Sequence, residues 1–230
     1  MKHKTFFLFL LFYSFIINAQ KDSGIEHKNA FGWNLYSMNH QLTKFELSFK
    51  GSFNPDYYGA HTNASTDYSI WYKREFKLDS LAMRIFIQPH FMMSYRFGDI
   101  QVDSVTDARV YEEFLRFPLM FGMKLSAGKS IDINMSFGLV YSILSKQKYL
   151  ARPTVTLPAM YQKQYGFGSY SKLGFGAEIS STMHISKKIF FNVGLWSDFD
   201  FSNPLSNSND IPFTTVYRSF GIFIGLGGTF

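Results

Sequence analysis

The sequence has no cysteine. A disulfide framework and a thiolate metal centre are both excluded by that absence. A lipid anchor on a mature N-terminal cysteine is excluded with them. Proline is sparse, at seven residues in 230, and glycine adds only 17, so collagen-like and Pro/Gly-rich disordered chains do not fit. Charged residues are only 17% of the chain, and the formal charge of +6 is spread along it rather than gathered in a run. Such a charge argues only weakly for a polyanion partner, and no nucleic-acid partner is expected. Long apolar runs are also missing beyond residue 20, so no later segment reads as a transmembrane helix.

What the chain has in excess is aromatic residues, with 27 Phe and 14 Tyr in a composition 46% hydrophobic. Its mean hydropathy is nevertheless −0.07. Such a chain reaches a neutral mean only by interleaving apolar residues with strongly polar ones, so periodicity becomes the informative signal.

The first residues stand apart. Lys2 and Lys4 precede the apolar run Thr5–Ile17, which ends at Asn18-Ala19-Gln20. The run is shorter than the roughly 17–25 residues a spanning helix needs and reads as a secretory signal cut after Ala19. Residues 1–19 are therefore read as a signal peptide and 20–41 as a periplasmic lead-in anchored by Phe31, Trp33 and Tyr36. Residues 42–230 form the main domain.

That domain alternates in steps of two. Ile131, Ile133, Met135, Phe137, Leu139, Tyr141 and Ile143 share one face, and Asp132, Asn134, Ser136, Gly138 and Ser142 the other. Near the end, Phe220, Ile222, Ile224, Leu226 and Phe230 oppose Ser219, Gly221, Gly225, Gly227 and Thr229. Strands are predicted at 42–53, 66–76, 81–97, 108–125, 130–145, 170–185, 189–202 and 215–230. Long connections (54–65, 98–107, 146–169, 203–214) alternate with short ones (77–80, 126–129, 186–188). The rhythm predicts an all-β fold, an eight-stranded antiparallel up-and-down transmembrane β-barrel with short periplasmic turns and longer external loops. Pro118, and Pro89 after it, predict a bulge or kink, because a closed barrel has no edge on which to place a proline.

Charge separates the two faces. The apolar face carries Arg74, Glu113 and Arg218, all toward strand ends. The polar face carries Lys44, Lys50, Lys73, Arg84, Arg96, Arg116, Lys124 and Lys172. It also carries Glu46, Asp67, Glu75, Glu112, Asp132, Glu178, Asp198 and Asp200. A soluble lipocalin-type barrel shares the period and strand number, with its apolar face inside. The bulk of the Phe, Tyr, Met and Ile on that face overfills an eight-stranded interior, which favours lipid outside and charge inside. An interior ionic network is expected from Glu46, Arg84, His90, Glu112, Arg116, Asp132 and Glu178, because unpaired buried charges are prohibitive. His90 is placed near Gln88, within reach of Glu46, Glu112 or Asp132. Trp33, Trp71 and Trp196 suit interfacial girdles.

At this point the chain resembles the small outer-membrane β-barrel proteins of Bacteroidetes called PorT-like. The resemblance rests on the Asn18-Ala19-Gln20 junction and on Phe114-Leu115-Arg116-Phe117-Pro118-Leu119-Met120-Phe121-Gly122. The aromatic last residue, Phe230, adds to it; Gly228 interrupts the alternation before that residue. The resemblance implies outer-membrane lipid as surroundings and the barrel-assembly machinery as partner during insertion. It also implies a secretion or envelope protein partner, in the type IX secretion or gliding apparatus.

Motifs for chemistry are few. No G-x-S-x-G elbow, P-loop or H-E-x-x-H occurs. His184-Ile185-Ser186 falls at a periplasmic turn, away from outer-leaflet lipid, and Asp198 with Asp200 reads as a carboxylate pair facing arginines. No catalytic residue, cofactor or metal is assigned. The 146–169 connection offers Tyr149, Arg152, Tyr161 and Tyr165 as external binding candidates, since Tyr and Arg are favoured at interfaces. The expected function is a non-enzymatic scaffold or binding barrel. A narrow channel or transporter is the alternative, and a lipid-modifying enzyme the third reading.

Overall fold

The computed structural model describes residues 27–47, 62–77, 83–101, 107–128, 130–151, 164, 166–207 and 213–230. Among the described residues there is no helix. The strands are β1 (His27–Leu47), β2 (Thr62–Lys77), β3 (Met83–Gln101), β4 (Asp107–Ser126), β5 (Ile131–Ala151), β6 (Tyr170–His184), β7 (Ile189–Asn207) and β8 (Phe213–Thr229). Each pairs antiparallel with its sequence neighbour, and β1 pairs with β8 to close the barrel. Closure leaves no unpaired edge in the wall, which is what hydrocarbon requires of a spanning sheet.

The two faces separate as the alternation predicts. In β5, Ile131, Ile133, Met135, Phe137 and Leu139 point outward with exposures from 38% to 57%, while Asp132, Asn134 and Ser136 are buried in the lumen. Phe121, Phe199, Phe220, Ile222 and Ile224 continue the outer coat around the wall. A soluble barrel with this face toward water would expose an apolar belt far larger than the few hundred Å² usual for a monomer. The wall is that of a membrane barrel. Of the three charges expected on the outer face, Arg74 is buried, Glu113 is half-buried and Arg218 is exposed. Arg74 lies over the Phe76 ring at 5.3 Å, and Glu113 accepts a hydrogen bond from the Tyr111 hydroxyl at 2.6 Å.

Several boundaries differ from the sequence reading. β1 begins at His27, so residues 27–41 are wall rather than periplasmic lead-in. Phe31 and Trp33 face outward, and Tyr36 faces the lumen. β3 reaches Gln101, β5 Ala151 and β7 Asn207, taking up residues expected in connections, so 102–106 and 208–212 are no longer than 78–82. The physical reason is length. Spanning needs about 9–11 residues, whereas these strands run from 15 to 21, so the wall continues past the bilayer. There both faces meet polar surroundings and the alternation fades.

The prolines also behave differently from expectation. Pro118 pairs in register with Val140, and Pro89 with Leu119, without a bulge. The β3–β4 ladder skips only from Pro89/Leu119 to Met92/Arg116 with the register kept. A locally missing hydrogen bond is tolerated because the strand stays held on its other side. The β4–β5 bulge lies instead at Glu113/Phe114. Short turns after β4 and β6 close the end where β1 begins and β8 ends, and Gly128 supplies the positive φ (120°) needed in the β4–β5 turn.

Candidate functional site

Among the described residues the lumen gathers most of the buried charged and hydrogen-bonding side chains, and it is layered. At the end opposite the termini, Arg96 of β3 donates to Asp200 at 2.6 Å and to Asp198 at 3.1 Å. Arg116 of β4 pairs with Asp198 at 2.8 Å, and Lys172 of β6 with Asp200 at 2.7 Å. All five side chains are almost wholly buried. Two of these cations, Arg96 and Lys172, also lie over aromatic rings. Arg96 sits 5.1 Å from the Tyr217 ring, and Lys172 sits 4.1 Å from Phe114. The carboxylate pair faces arginines, as expected.

Two further groups complete this layer. The Glu112 carboxylate accepts from Gln147 (2.7 Å), Tyr170 (2.5 Å) and Thr215 (2.6 Å), linking β4 to β5, β6 and β8. His40 of β1 bonds Ser219 of β8 through Nδ1 and Ser65 of β2 through Nε2, each at 2.8 Å, with Asp67 at 3.7 Å. This places a serine, a histidine and an aspartate together, as in hydrolases. His40 and Asp67 show 0% exposure, and the half-buried Ser65 also donates to Asp67 at 3.0 Å. The arrangement works as a staple across the β1–β8 seam. Together the groups in this layer tie all eight strands.

Below lies an apolar layer. Tyr36, Met38, Met92, Met120, Val140, Trp196 and Phe223 pack against one another across the lumen. Tyr36 meets Trp196 edge-on at 6.0 Å and Phe223 at 5.1 Å. Side chains of this size fill an eight-stranded interior. Trp71 and Trp196 therefore belong to the lumen, not to an interfacial girdle as their composition suggested. Both occupy inward parity, and their indole N–H groups donate to Asn34 (3.1 Å) and Asp198 (2.6 Å). Trp33 alone of the three faces outward.

Toward the terminal end a second ionic layer appears. Lys124 pairs with Glu75 and lies 3.6 Å from Asp132, and Lys73 lies 3.5 Å from Glu75. Asp132 also bonds His184 at 2.8 Å and Ser126 at 2.7 Å. His184 is thus a strand-end partner for Asp132.

The expected network is only partly one network. Arg116 and Glu112 lie in the far layer, and Asp132 lies in the terminal one. Glu178 accepts from Ser180 at 3.1 Å and is buried. His90 contacts Gln88 at 3.0 Å and the Trp196 ring at 6.0 Å, not Glu112 or Asp132. Arg84 sits half-buried at the start of β3, across from Lys124 in the ladder. Glu46 belongs to β1, but its side chain lies outside the described residues, and the same holds for Tyr149 in β5. Arg152, Tyr161, Tyr165 and the signal segment 1–19 are also outside them. The sequence reading missed the bonded set Asn34, Tyr36, Ser69 and Trp71, because half of it sits in the stretch taken for a lead-in.

No protein-family model matches the chain, and no curated protein matches it. Among solved structures it is similar to Ail, the attachment invasion locus protein of Yersinia pestis, at 12% identity and a TM-score of 0.45, covering 89% of this chain and 99% of that one. It is similar to Escherichia coli outer membrane protein W at 12% identity and 0.42, covering 88% and 98%. It is also similar to the Escherichia coli outer membrane protease OmpT at 8% and 0.49, covering 88% and 97%. Identities this low concern the barrel fold alone, and what this chain does has to be read from its own wall and lumen.

Proposed function

We propose that the chain is a sealed outer-membrane β-barrel serving as a non-enzymatic scaffold or binding component. Its short turns then face the periplasm, and its tall opposite rim faces outward. The observation that carries this reading is the apolar layer Tyr36, Met38, Met92, Met120, Val140, Trp196 and Phe223, packed together across the lumen between two ionic layers. Side chains of this bulk favour a filled interior over a solute path. The wall argues for lipid around it, since the outward apolar band is what a bilayer selects. The resemblance to PorT-like proteins supports a secretion or envelope component as the partner at the rim.

Single-channel recording of the refolded full chain in planar bilayers tests the seal. A flat baseline is expected across the voltage range. Reproducible conductance steps would replace the scaffold reading with the narrow-channel one.

A further inference from the structure

The outer wall changes character abruptly on β4 and β5. The outward row of β5 is apolar from Ile131 to Ile143, and that of β4 from Leu125 to Leu115. At about 3.3 Å per residue and a tilt near 45°, Ile131 to Ile143 spans about 28 Å of height, the thickness of a hydrocarbon core. The next outward residues of β5 are Lys146 and Lys148, both half-buried. They stand at headgroup height.

Their direction is set by the bulge. With an unbroken period of two, Lys146 and Lys148 would follow Leu144 into the lumen. The register instead jumps at Glu113/Phe114, so that Phe114 faces Leu144 and Glu113 faces Lys146, with Ser145 left over. Beyond it, Gln147 points inward to Glu112, and the two lysines point outward. Lys148 Nζ lies 4.9 Å from the centre of the Tyr111 ring, and Tyr111 packs on Phe97 at 4.9 Å. The acid facing this patch is Glu113, which is already bonded by Tyr111. Arg109 sits across the ladder from Asp99 and is left out of the site. An ammonium pair beside an aromatic platform, continuous with the lipid-facing belt, is complementary to a phosphate whose acyl chains lie against Ile143, Leu115 and Phe117.

We infer that Lys146 and Lys148, with the Tyr111 ring, form a site on the outer wall for a phosphate-bearing lipid headgroup of the outer leaflet. This rests on the membrane reading above and adds a ligand to it. The test uses the folded full chain in detergent micelles, titrated with bisphosphorylated lipid A and followed by native mass spectrometry. The Lys146→Gln/Lys148→Gln variant is expected to bind about 25-fold more weakly, roughly fivefold per lysine. Lys146→Arg/Lys148→Arg should retain binding within about twofold, and dephosphorylated lipid A should bind the native chain as weakly as it binds the Gln variant. Lys187→Gln/Lys188→Gln removes the same charge at the opposite end and should leave affinity unchanged; inorganic phosphate alone should not bind saturably. Equal weakening by both Gln pairs would reduce the effect to net charge and overturn the site. Unchanged affinity in the Lys146/Lys148 variant would also overturn it while leaving the membrane barrel intact. Failure of the native chain to fold in any micelle or bilayer would overturn the membrane reading itself.

Discussion

An arginine scan along the outward row of β5 gives the membrane wall a quantitative signature. Phe137 lies midway between Ile131 and Ile143, the ends of the apolar row, and is 57% exposed with its ring stacked on Phe175 at 6.2 Å. If the row crosses hydrocarbon, arginine there sits at the bilayer midplane, where it costs about 2–4 kcal/mol. The same substitution at Ile131 or Ile143 reaches the headgroups and costs about 0–1 kcal/mol. Arginine at Met135 or Leu139 should fall between, so the penalty traces a single peak along the strand. In water the same positions are ordinary surface, and each change stays within about ±0.5 kcal/mol. The assay is reversible urea unfolding of each variant in lipid vesicles, with the folded fraction read by gel mobility of unheated samples. A flat profile, or a maximum at either end of the row, would refute the assignment of this face to lipid.

The lumen and the rim give three further outcomes. Asp200→Ala strips Arg96 and Lys172 of a shared partner in a site closed to water, which should cost about 3–5 kcal/mol in the same unfolding assay. A change under about 1 kcal/mol would mean that layer is hydrated rather than sealed. Gly138→Ala should destabilise by about 1–3 kcal/mol, because its Cβ would run into the Leu119 carbonyl oxygen, a backbone atom that cannot swing away. Gly166→Ala, with nothing within 4 Å, serves as the neutral control, and equal effects at the two glycines would contradict the close approach. The lipid A titration of the lysine variants completes the set, with the loss of about 25-fold as its criterion.

The barrel itself was legible because lipid outside and charge inside impose opposite demands on successive residues. Phe137 beside Ser136 is that contrast in one dipeptide. Where the contrast ends, legibility ends. Residues 37–41 of β1 alternate Ser37, Asn39 and Gln41 outward with Met38 and His40 inward, so no apolar stripe marks them as strand. What holds them is pairing with β2 and β8, which a single strand's sequence does not display.

The lumenal partners were legible as a charge inventory but not as pairs. Arg96 on β3 meets Asp198 and Asp200 on β7, a match made across the barrel and decided by strand stagger. The tryptophans misled for a related reason. Composition puts Trp at interfaces, whereas parity and an indole hydrogen bond put Trp71 and Trp196 inside. The bulge that turns Lys146 and Lys148 outward left no proline or glycine to announce it, and both lysines read as the start of a loop.

The layered lumen and the lysine site both depend on a closed barrel whose apolar wall faces a bilayer. The most direct measurement is fractionation of the envelope of the native host, with the outer-membrane fraction run on a gel with and without heating. The chain is expected in that fraction, migrating faster unheated than boiled, because the closed barrel survives the detergent until heat opens it. Recovery in the soluble periplasmic fraction, with one mobility at both temperatures, would contradict the membrane barrel.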